Sequence, residues 1–172
     1  MAMNMPFNLM EWIETNRHHL KPPVCNREVY VGEDFIVQVV GGPNARADYH
    51  YDEGPEFFYQ IEGDMLLKTV QEGEMIDVPI KQGEIFLLPP RVPHSPQRSP
   101  GSVGLVVERK RNQNELDGFM WFCQSCGNKL HQEFLYVSDI VNELPPVFER
   151  FYADERNRTC KRCGTVMPPD EI

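Results

Sequence analysis

Three residues of this sequence form a set that is typical of a metal centre with an open coordination shell. Glu56 opens the apolar run Phe57–Ile61, and His94 follows the apolar run Ile85–Leu88. Burying a carboxylate beside aromatic side chains is costly unless a cation compensates it. Together with His50, these residues supply two imidazoles and one carboxylate, the set that usually holds non-haem Fe(II) and leaves about three positions of an octahedral ion open. We therefore predict that His50, Glu56 and His94 bind a catalytic Fe(II).

A second set consists of four of the five cysteines, arranged as two Cys-x-x-Cys pairs that are each followed by glycine. Each pair can place both sulfurs on one ion, and the glycine lets the backbone turn around them. Two pairs make a closed, structural four-sulfur site that resembles a rubredoxin site and can hold iron or zinc. Its predicted ligands are Cys123, Cys126, Cys160 and Cys163. The fifth cysteine, Cys25, is assigned no role.

Three further charged residues belong to the same region as the predicted catalytic ligands. Arg46 precedes His50 by four residues, Arg98 follows His94 by four, and Glu108 follows the apolar run ending at residue 107. In an extended chain, residues four apart share a face, so both arginines should point where the metal ligands point. A guanidinium group presents a planar fork of donors that matches a carboxylate. The expected ligand is a small organic acid that chelates the metal.

The elements that must position these residues are predicted to be short strands. Asn8 and Glu11 have the spacing of a helix N-terminal cap, so a short helix should begin there. Runs rich in β-branched and aromatic residues then alternate with glycine, proline and acidic turns, which favours an antiparallel barrel or a jelly roll. The predicted strands are Phe35–Val40, Phe57–Ile61, Met65–Val70, Ile85–Leu88 and Val103–Val107.

The chain is expected to divide into three parts. Residues 1–28 form an N-terminal arm with a short helix, residues 29–111 form the barrel, and residues 112–172 form a small metal-tied subdomain. The polar stretch 112–114 reads as a linker, and a helical segment is predicted from about Ser138 to Phe151.

Composition excludes several classes of protein. The formal net charge of -9 disfavours a polyanionic partner such as nucleic acid, and the only basic run is Arg109-Lys110-Arg111. Polar residues interrupt the apolar positions near the N-terminus, so no signal peptide is expected. No run approaches the roughly 20 apolar residues that a membrane span needs. Paired cysteines without such a signal favour metal binding in the cytoplasm over disulfides.

The spacing of the site residues resembles the two signature motifs of the cupin superfamily. The positions that match the first motif are His50, Asp52, Glu56 and Gly63, and those that match the second are Gly83, Pro89 and His94. Asp52 stands where the family has a second histidine, Arg91 replaces a turn glycine, and Arg98 replaces a final asparagine. The resemblance implies a mainly β cupin double-stranded β-helix, with the N-terminal helix and metal-tied C-terminal subdomain added to it.

Longer runs resemble the 3-hydroxyanthranilate 3,4-dioxygenase family, and this resemblance covers nearly the whole chain. The runs are residues 21–24, 41–50, 56–60, 86–90 and 94–98. The cysteine tail resembles that of the short microbial forms of the family. The resemblance implies an Fe(II)-dependent extradiol enzyme of tryptophan catabolism by the kynurenine route. Its product would be 2-amino-3-carboxymuconate semialdehyde, which cyclises spontaneously to quinolinate for NAD synthesis.

By position, the resemblance also assigns roles to individual residues. His50, Glu56 and His94 match the iron ligands. Arg46, Arg98 and Glu108 match residues that hold the carboxylate and amino groups of the substrate, and Glu56 is expected to bind substrate as well as iron. The expected partners are 3-hydroxyanthranilate and O2, with no nucleic acid and no membrane, and the expected assembly is a homodimer.

Two other functions are compatible with the residues alone. One is a different metal-dependent cupin enzyme, an isomerase or another dioxygenase, that acts on a small organic acid. The other is a ligand-sensing barrel whose tail is a zinc-ribbon interaction module. Oxygen uptake that depends on 3-hydroxyanthranilate would distinguish the expected enzyme from both.

Overall fold

The computed structural model describes residues 5–22, 25–137 and 140–169, and the side chains of 140–142 are outside this description. Pro23 and Val24, from one of the runs that carry the family resemblance, lie outside the described residues. So does Ser138, where the predicted C-terminal helical segment begins. No helix within the described ranges is both long and apolar enough to cross a membrane.

The N-terminal helix begins where the cap was predicted. Helix α1 (Leu9–Asn16) is capped by Asn8, whose side-chain oxygen accepts hydrogen bonds from the backbone N–H groups of Met10 and Glu11 at 2.9 and 3.2 Å. This cap satisfies donors that have no partner within the helix. Ile13 is completely buried against the barrel. A short 3₁₀ helix, Arg17–His19, continues the chain.

Twelve strands follow in the described residues, and they form two antiparallel sheets. The first sheet has the order β1-β2-β10-β5-β8, and the second has the order β12-β11-β4-β9-β6-β7 with β3 paired to β9. The strands are β1 (Asn26–Glu28), β2 (Phe35–Gly41), β3 (Asn44–Ala45), β4 (Asp48–Tyr51), β5 (Glu56–Glu62), β6 (Met65–Gln71), β7 (Glu74–Ile80), β8 (Ile85–Leu88), β9 (His94–Arg98), β10 (Val103–Arg109), β11 (Asp117–Phe122) and β12 (Lys129–Leu135).

The barrel core contains side chains from strands of both sheets. Phe58 and Val106 come from the first sheet, and Met65 and Leu67 come from the second; all four are at most 5% exposed. Each buried side chain of this size contributes roughly 1.5–3 kcal/mol relative to an exposed one. The prediction of a mainly β jelly-roll barrel is confirmed, and all five predicted strands are present.

The C-terminal segment is joined to the barrel by both a sheet and an apolar cluster. Strand β11 pairs with β4, so it extends the second sheet. Helices α2 (Ile140–Ala153) and α3 (Glu155–Arg158) follow, and the Phe151 ring of α2 stacks on the Trp121 ring of β11 with centroids 4.2 Å apart. The predicted C-terminal helix is confirmed over its described part. The division of the chain at residues 28 and 111 stays a prediction.

Candidate active site and metal centres

The predicted catalytic ligands come together inside the barrel. His50 on β4 and His94 on β9 are register partners in adjacent strands, and Glu56 is the first residue of β5. Glu56 Oε1 lies 3.0 Å from His94 Nε2 and 3.5 Å from His50 Nδ1. Each of the three residues has a ligand atom within 4.8 Å of the other two. His94 is distant from His50 in the sequence, and the pairing of β4 with β9 brings the two histidines together.

The donor atoms of these residues fit a metal ion. His94 Nδ1 lies 3.0 Å from the carbonyl oxygen of Val92, and because a carbonyl only accepts, Nδ1 must carry the hydrogen. When the ring is neutral, its Nε2 presents a bare lone pair to Glu56 Oε1, which is buried without a hydrogen-bond partner among the described residues. Two lone-pair atoms 3.0 Å apart repel each other unless a proton or a metal cation lies between them. A metal-binding histidine usually donates its other N–H in this way.

His50 is bordered by carboxylates on both sides of its ring. Its Nε2 lies 3.7 Å from Asp117 Oδ2, opposite the Glu56 contact. Burial disfavours the imidazolium and lowers the pKa of His50, but the Asp117 and Glu56 carboxylates outweigh burial and raise this pKa to about 10. For Glu56, burial raises the pKa, but the charge of His94 and the contact with His50 hold it well below its usual value. The pocket therefore favours positive charge beside Glu56.

Arg111 contacts three buried acidic side chains near the triad formed by His50, Glu56 and His94. The sequence did not predict that Arg111 lies there. Its Nη1 lies 2.6 Å from Glu108, its Nε lies 2.9 Å from Asp117 and its Nη2 lies 3.1 Å from Asp52. One guanidinium therefore faces three carboxylates, with Glu56 as a fourth carboxylate nearby. This excess of negative charge is a further reason why the pocket fits a divalent cation.

The sequence contained a signal for one of these overlooked residues. Asp117 opens β11, whose six residues are all buried, just as Glu56 opens an apolar strand. The argument that identified Glu56 therefore also applied to Asp117. Arg111 gave no such signal, because it reads as the end of a basic surface run. In the structure its side chain is only 6% exposed.

All six residues predicted for catalysis and substrate binding line one cavity of about 150 Å³. Arg46 is ion-paired with Asp48, whereas Arg98 donates from Nη1 to the side-chain oxygen of Gln60 at 3.2 Å. Arg98 is 5% exposed and has no carboxylate partner among the described residues, and its buried Nε has no hydrogen-bond partner there. Burial lowers the pKa of Arg98 to about 10, so the group is still charged at neutral pH. The cavity thus contains a buried cation that lacks an anion.

Glu108 lies on β10 directly across from Glu56 on β5. Burial and the Glu56 charge raise its pKa to about 7, although the Arg111 guanidinium opposes this increase. Gln38 lies near its other oxygen, with Nε2 3.5 Å from Oε1. A carboxyl group with a pKa near neutrality can exchange a proton with a ligand in the cavity.

The four paired cysteines also come together, at the end of β11 and after α3. Cys123 Sγ lies 3.6 Å from Cys163 Sγ, and Cys126 Sγ lies 3.6 Å from Cys160 Sγ. A tetrahedron with sulfur about 2.3 Å from its ion has edges of about 3.8 Å, so the spacing fits zinc or iron. Gly127, with φ of 71°, donates its N–H to the carbonyl oxygen of Cys123 at 2.8 Å, which closes the first turn. A glycine tolerates that conformation without strain.

Solved structures with a related fold are distant in sequence. A cupin-2 domain protein from Shewanella frigidimarina is 16% identical, with a TM-score of 0.48, and the match covers 60% of this chain and 93% of that one. A protein from Neisseria meningitidis is 19% identical, with a TM-score of 0.47, covering 61% of this chain and 99% of that one.

Sequence relatives are much closer and share one name. The family model for 3-hydroxyanthranilic acid dioxygenase matches residues 1–152. The 3-hydroxyanthranilate 3,4-dioxygenase of Xanthomonas euvesicatoria pv. vesicatoria is 55% identical over 96% of this chain and 94% of its own length. The enzyme of that name from Ruegeria pomeroyi is 52% identical over 99% of this chain and 96% of its own length. With these matches over nearly its full length, the chain belongs to the 3-hydroxyanthranilate 3,4-dioxygenase family.

Proposed function

We propose that this chain cleaves the ring of 3-hydroxyanthranilate between carbons 3 and 4 with O2 and Fe(II), giving 2-amino-3-carboxymuconate semialdehyde. The product would cyclise to quinolinate, which serves NAD synthesis in the kynurenine route. One observation carries the proposal: a single cavity contains a two-histidine, one-carboxylate set together with an unpaired buried arginine. The proposed reaction is the one for which the family is named. The arrangement of side chains in the cavity supports the roles proposed for the individual residues.

The triad would hold the metal and leave positions open for substrate. His50, Glu56 and His94 provide three ligand atoms, whereas the substrate carries an adjacent phenol oxygen and amine that can chelate. Bound Fe(II) would supply the electron transfer and oxygen activation of the reaction. The hydrogen bond from His94 Nδ1 to the Val92 carbonyl fixes the ring so that Nε2 points towards Glu56, where it would bind the ion.

The charged residues of the cavity would orient the substrate. Arg98 is the stronger candidate for the substrate carboxylate because its charge is uncompensated, while Arg46 shares its charge with Asp48. Glu108 would accept a hydrogen bond from the amino group and can take up a proton there. Phe58 and Phe119 also line the cavity and would cover the faces of an aromatic ring.

A structural role is proposed for the cysteine site, with zinc or iron as its ion. Four sulfurs complete a tetrahedral shell, so no position remains for a substrate. The site connects the turn after β11 with the segment after α3 and would tie the C-terminal helices to the barrel.

The chain is further proposed to be a cytoplasmic homodimer without nucleic-acid or membrane partners. Its negative net charge supports the absence of nucleic acid. Edge strand β8 exposes Ile85 and Leu87, at 67% and 61%, which suits contact with a second copy. Sedimentation tests this surface: Leu87→Lys should shift a dimer towards monomer, and an unchanged sedimentation coefficient would exclude this face.

The experiment for the proposed function is anaerobic addition of 3-hydroxyanthranilate to Fe(II)-loaded protein, followed by air. We expect oxygen uptake together with a new near-ultraviolet absorbance from the opened ring. In the Arg98→Ala variant, KM should rise by about 10-fold to 100-fold while the iron content is unchanged, because a charged hydrogen-bond partner is lost. Ligand binding without oxygen uptake would support the sensor hypothesis instead.

A further inference from the structure

Arg98 reaches its position in the cavity through contacts that come from the opposite sheet. It belongs to β9 in the second sheet, whereas Gln60 and Gly104 belong to β5 and β10 in the first sheet and are register partners. Gln60 does not line the cavity, and its side chain is 1% exposed. Gln60 can act on the substrate through Arg98, which does line the cavity.

Gln60 contacts the guanidinium by one hydrogen bond, in which the acceptor is a neutral amide oxygen. Its Oε1 accepts from Arg98 Nη1 at 3.2 Å, and its Nε2 donates to the backbone carbonyl of Glu62 at 3.0 Å. Because a carbonyl only accepts, the Glu62 contact fixes which end of the amide faces Arg98. The amide thus orients the cation without neutralising it.

Gly104 leaves the space that the guanidinium occupies. A Cβ atom at this position would lie 2.6 Å from Arg98 Nη1 and 2.9 Å from Gln60 Oε1. Both distances are below any real Cβ contact, and the atom that would move is the end of a flexible side chain. A glycine inside a strand commonly marks such a close approach.

We propose that Gln60 and Gly104 form a neutral seat that keeps Arg98 oriented and unpaired, so that its full charge is available to the carboxylate of the substrate. This inference rests on the proposed function of Arg98. Gln60 and Gly104 are positioning residues in this account, since neither touches the substrate. They set the preference for an aromatic acid over the same ring without its carboxylate.

The exchange of Gln60 for glutamate separates this role from a packing role. A glutamate would pair with Arg98 and compensate a buried charge, but it would lose the hydrogen bond to the Glu62 carbonyl, so the melting temperature of the ligand-free protein should change little. The same pair would compete with the substrate carboxylate. Gln60→Glu should therefore raise KM for 3-hydroxyanthranilate by about 10-fold to 100-fold with little change in kcat, the range for a charged hydrogen bond.

The probe that isolates the carboxylate is 2-aminophenol, which keeps the chelating oxygen and nitrogen but lacks the acid group. Its competitive inhibition constant should be nearly the same in wild type, Gln60→Glu and Gly104→Ala. Gly104→Ala should raise KM as Gln60→Glu does, because its Cβ displaces the guanidinium. Gln82→Glu is the matched control: it adds the same charge at an exposed position and keeps an acceptor for the Gly63 N–H.

The outcomes distinguish the inference from the function on which it rests. An unchanged KM in Gln60→Glu, with a raised KM in Arg98→Ala, would reject the positioning role of Gln60 and Gly104. The proposed role of Arg98 would stand. An unchanged KM in Arg98→Ala would overturn both. If Gln60→Glu and Gly104→Ala weaken the binding of 3-hydroxyanthranilate and of 2-aminophenol equally, the variants damage the pocket in general. That result would contradict the inference.

Discussion

Two buried arginines of the barrel differ in whether their positive charge is compensated by carboxylates of the protein. Arg111 is surrounded by Asp52, Glu108 and Asp117, so its charge is fully used within the protein. Arg98 faces only a neutral amide among the described residues. The first arrangement stabilises the fold around the site, and the second leaves a cation for a ligand. Residue type alone does not separate these roles, because the partners of each guanidinium come from distant parts of the chain.

Replacing Arg111 should be far more damaging than replacing its neighbour Arg109. Arg111→Met keeps much of the side-chain volume but leaves three buried carboxylates without their cation, which should lower the free energy of unfolding by about 3–5 kcal/mol. Arg109→Met is the matched control two residues away, because Arg109 pairs with Glu115 near the surface. Urea unfolding of both variants measures the difference. Similar small losses in the two variants would contradict the role assigned to Arg111.

At the residue scale, the sequence predicted what its local pattern could reveal. Glu56 was found because a carboxylate opens an apolar strand, and Arg46 and Arg98 were found by their spacing from the histidines. Arg111 could not be found in this way, since a buried guanidinium and a solvated one look the same within a basic run. The role proposed for Gln60 could not be predicted either, because it depends on a contact with Arg98, which lies on the other sheet.

Helix α1 is tied to the barrel by an ion pair in addition to its apolar contacts. Arg17 donates to both carboxylate oxygens of Glu62, at 2.8 and 2.9 Å, and it also pairs with Glu14. The hydrogen bonds from Arg17 hold the pKa of Glu62 below its usual value, against the effect of burial. The pair therefore contributes to stability when Glu62 is ionised.

The contribution of this pair should depend on pH in a defined direction. A carboxyl group with a lowered folded pKa stabilises the protein above its unfolded pKa of about 4.3, and the effect is lost as pH falls through the folded value. Arg17→Gln should therefore lower the free energy of unfolding at pH 7 by a few tenths to about 1 kcal/mol. This deficit should disappear on acidification below the folded pKa of Glu62. Arg27→Gln, at an exposed position of β1, is the control, and a deficit that persists in acid would contradict the ion-pair account.

At the element scale, strands that bury one apolar face were predictable and the others were not. The five predicted strands are rich in β-branched and aromatic residues, and all of them are present. Strand β7 was missed because most of its side chains are exposed and its sequence includes Asp77 and Pro79. Strands β4 and β9 carry polar site residues in place of an apolar pattern, so the residues that matter for function obscured the strand signal.

Across the whole molecule, an apolar cluster packs the C-terminal segment against the barrel, and the proposed cysteine site would hold this segment as well. The cluster joins Phe119 and Trp121 of β11 to Val147 and Phe151 of α2. The four cysteines, with an ion bound, would add a second connection beyond the end of β11. Loss of the cysteine site should therefore lower the stability of the C-terminal segment. The triad lies on other strands and should keep its geometry.

The double variant Cys123→Ala and Cys126→Ala tests this separation. We expect the melting temperature to fall by about 10 °C, which corresponds to roughly 3 kcal/mol at this chain length, because the variant cannot close the four-sulfur shell. Folded protein should still cleave 3-hydroxyanthranilate after loading with Fe(II). Differential scanning calorimetry and the oxygen-uptake assay on the same sample give both values. Complete loss of turnover in folded protein with iron still bound at the triad would contradict a purely structural role.

We propose that the chemistry occurs at His50, Glu56 and His94 and not at the cysteine site. The most direct test is to measure metal content and substrate-dependent oxygen uptake on the same Fe(II)-loaded samples of wild type, His94→Ala and His18→Ala. His18 is exposed and outside the cavity, so its variant should match wild type. His94→Ala should lose about one equivalent of iron and all oxygen uptake while retaining the metal of the cysteine site. Full iron content and normal oxygen uptake in His94→Ala would contradict the account.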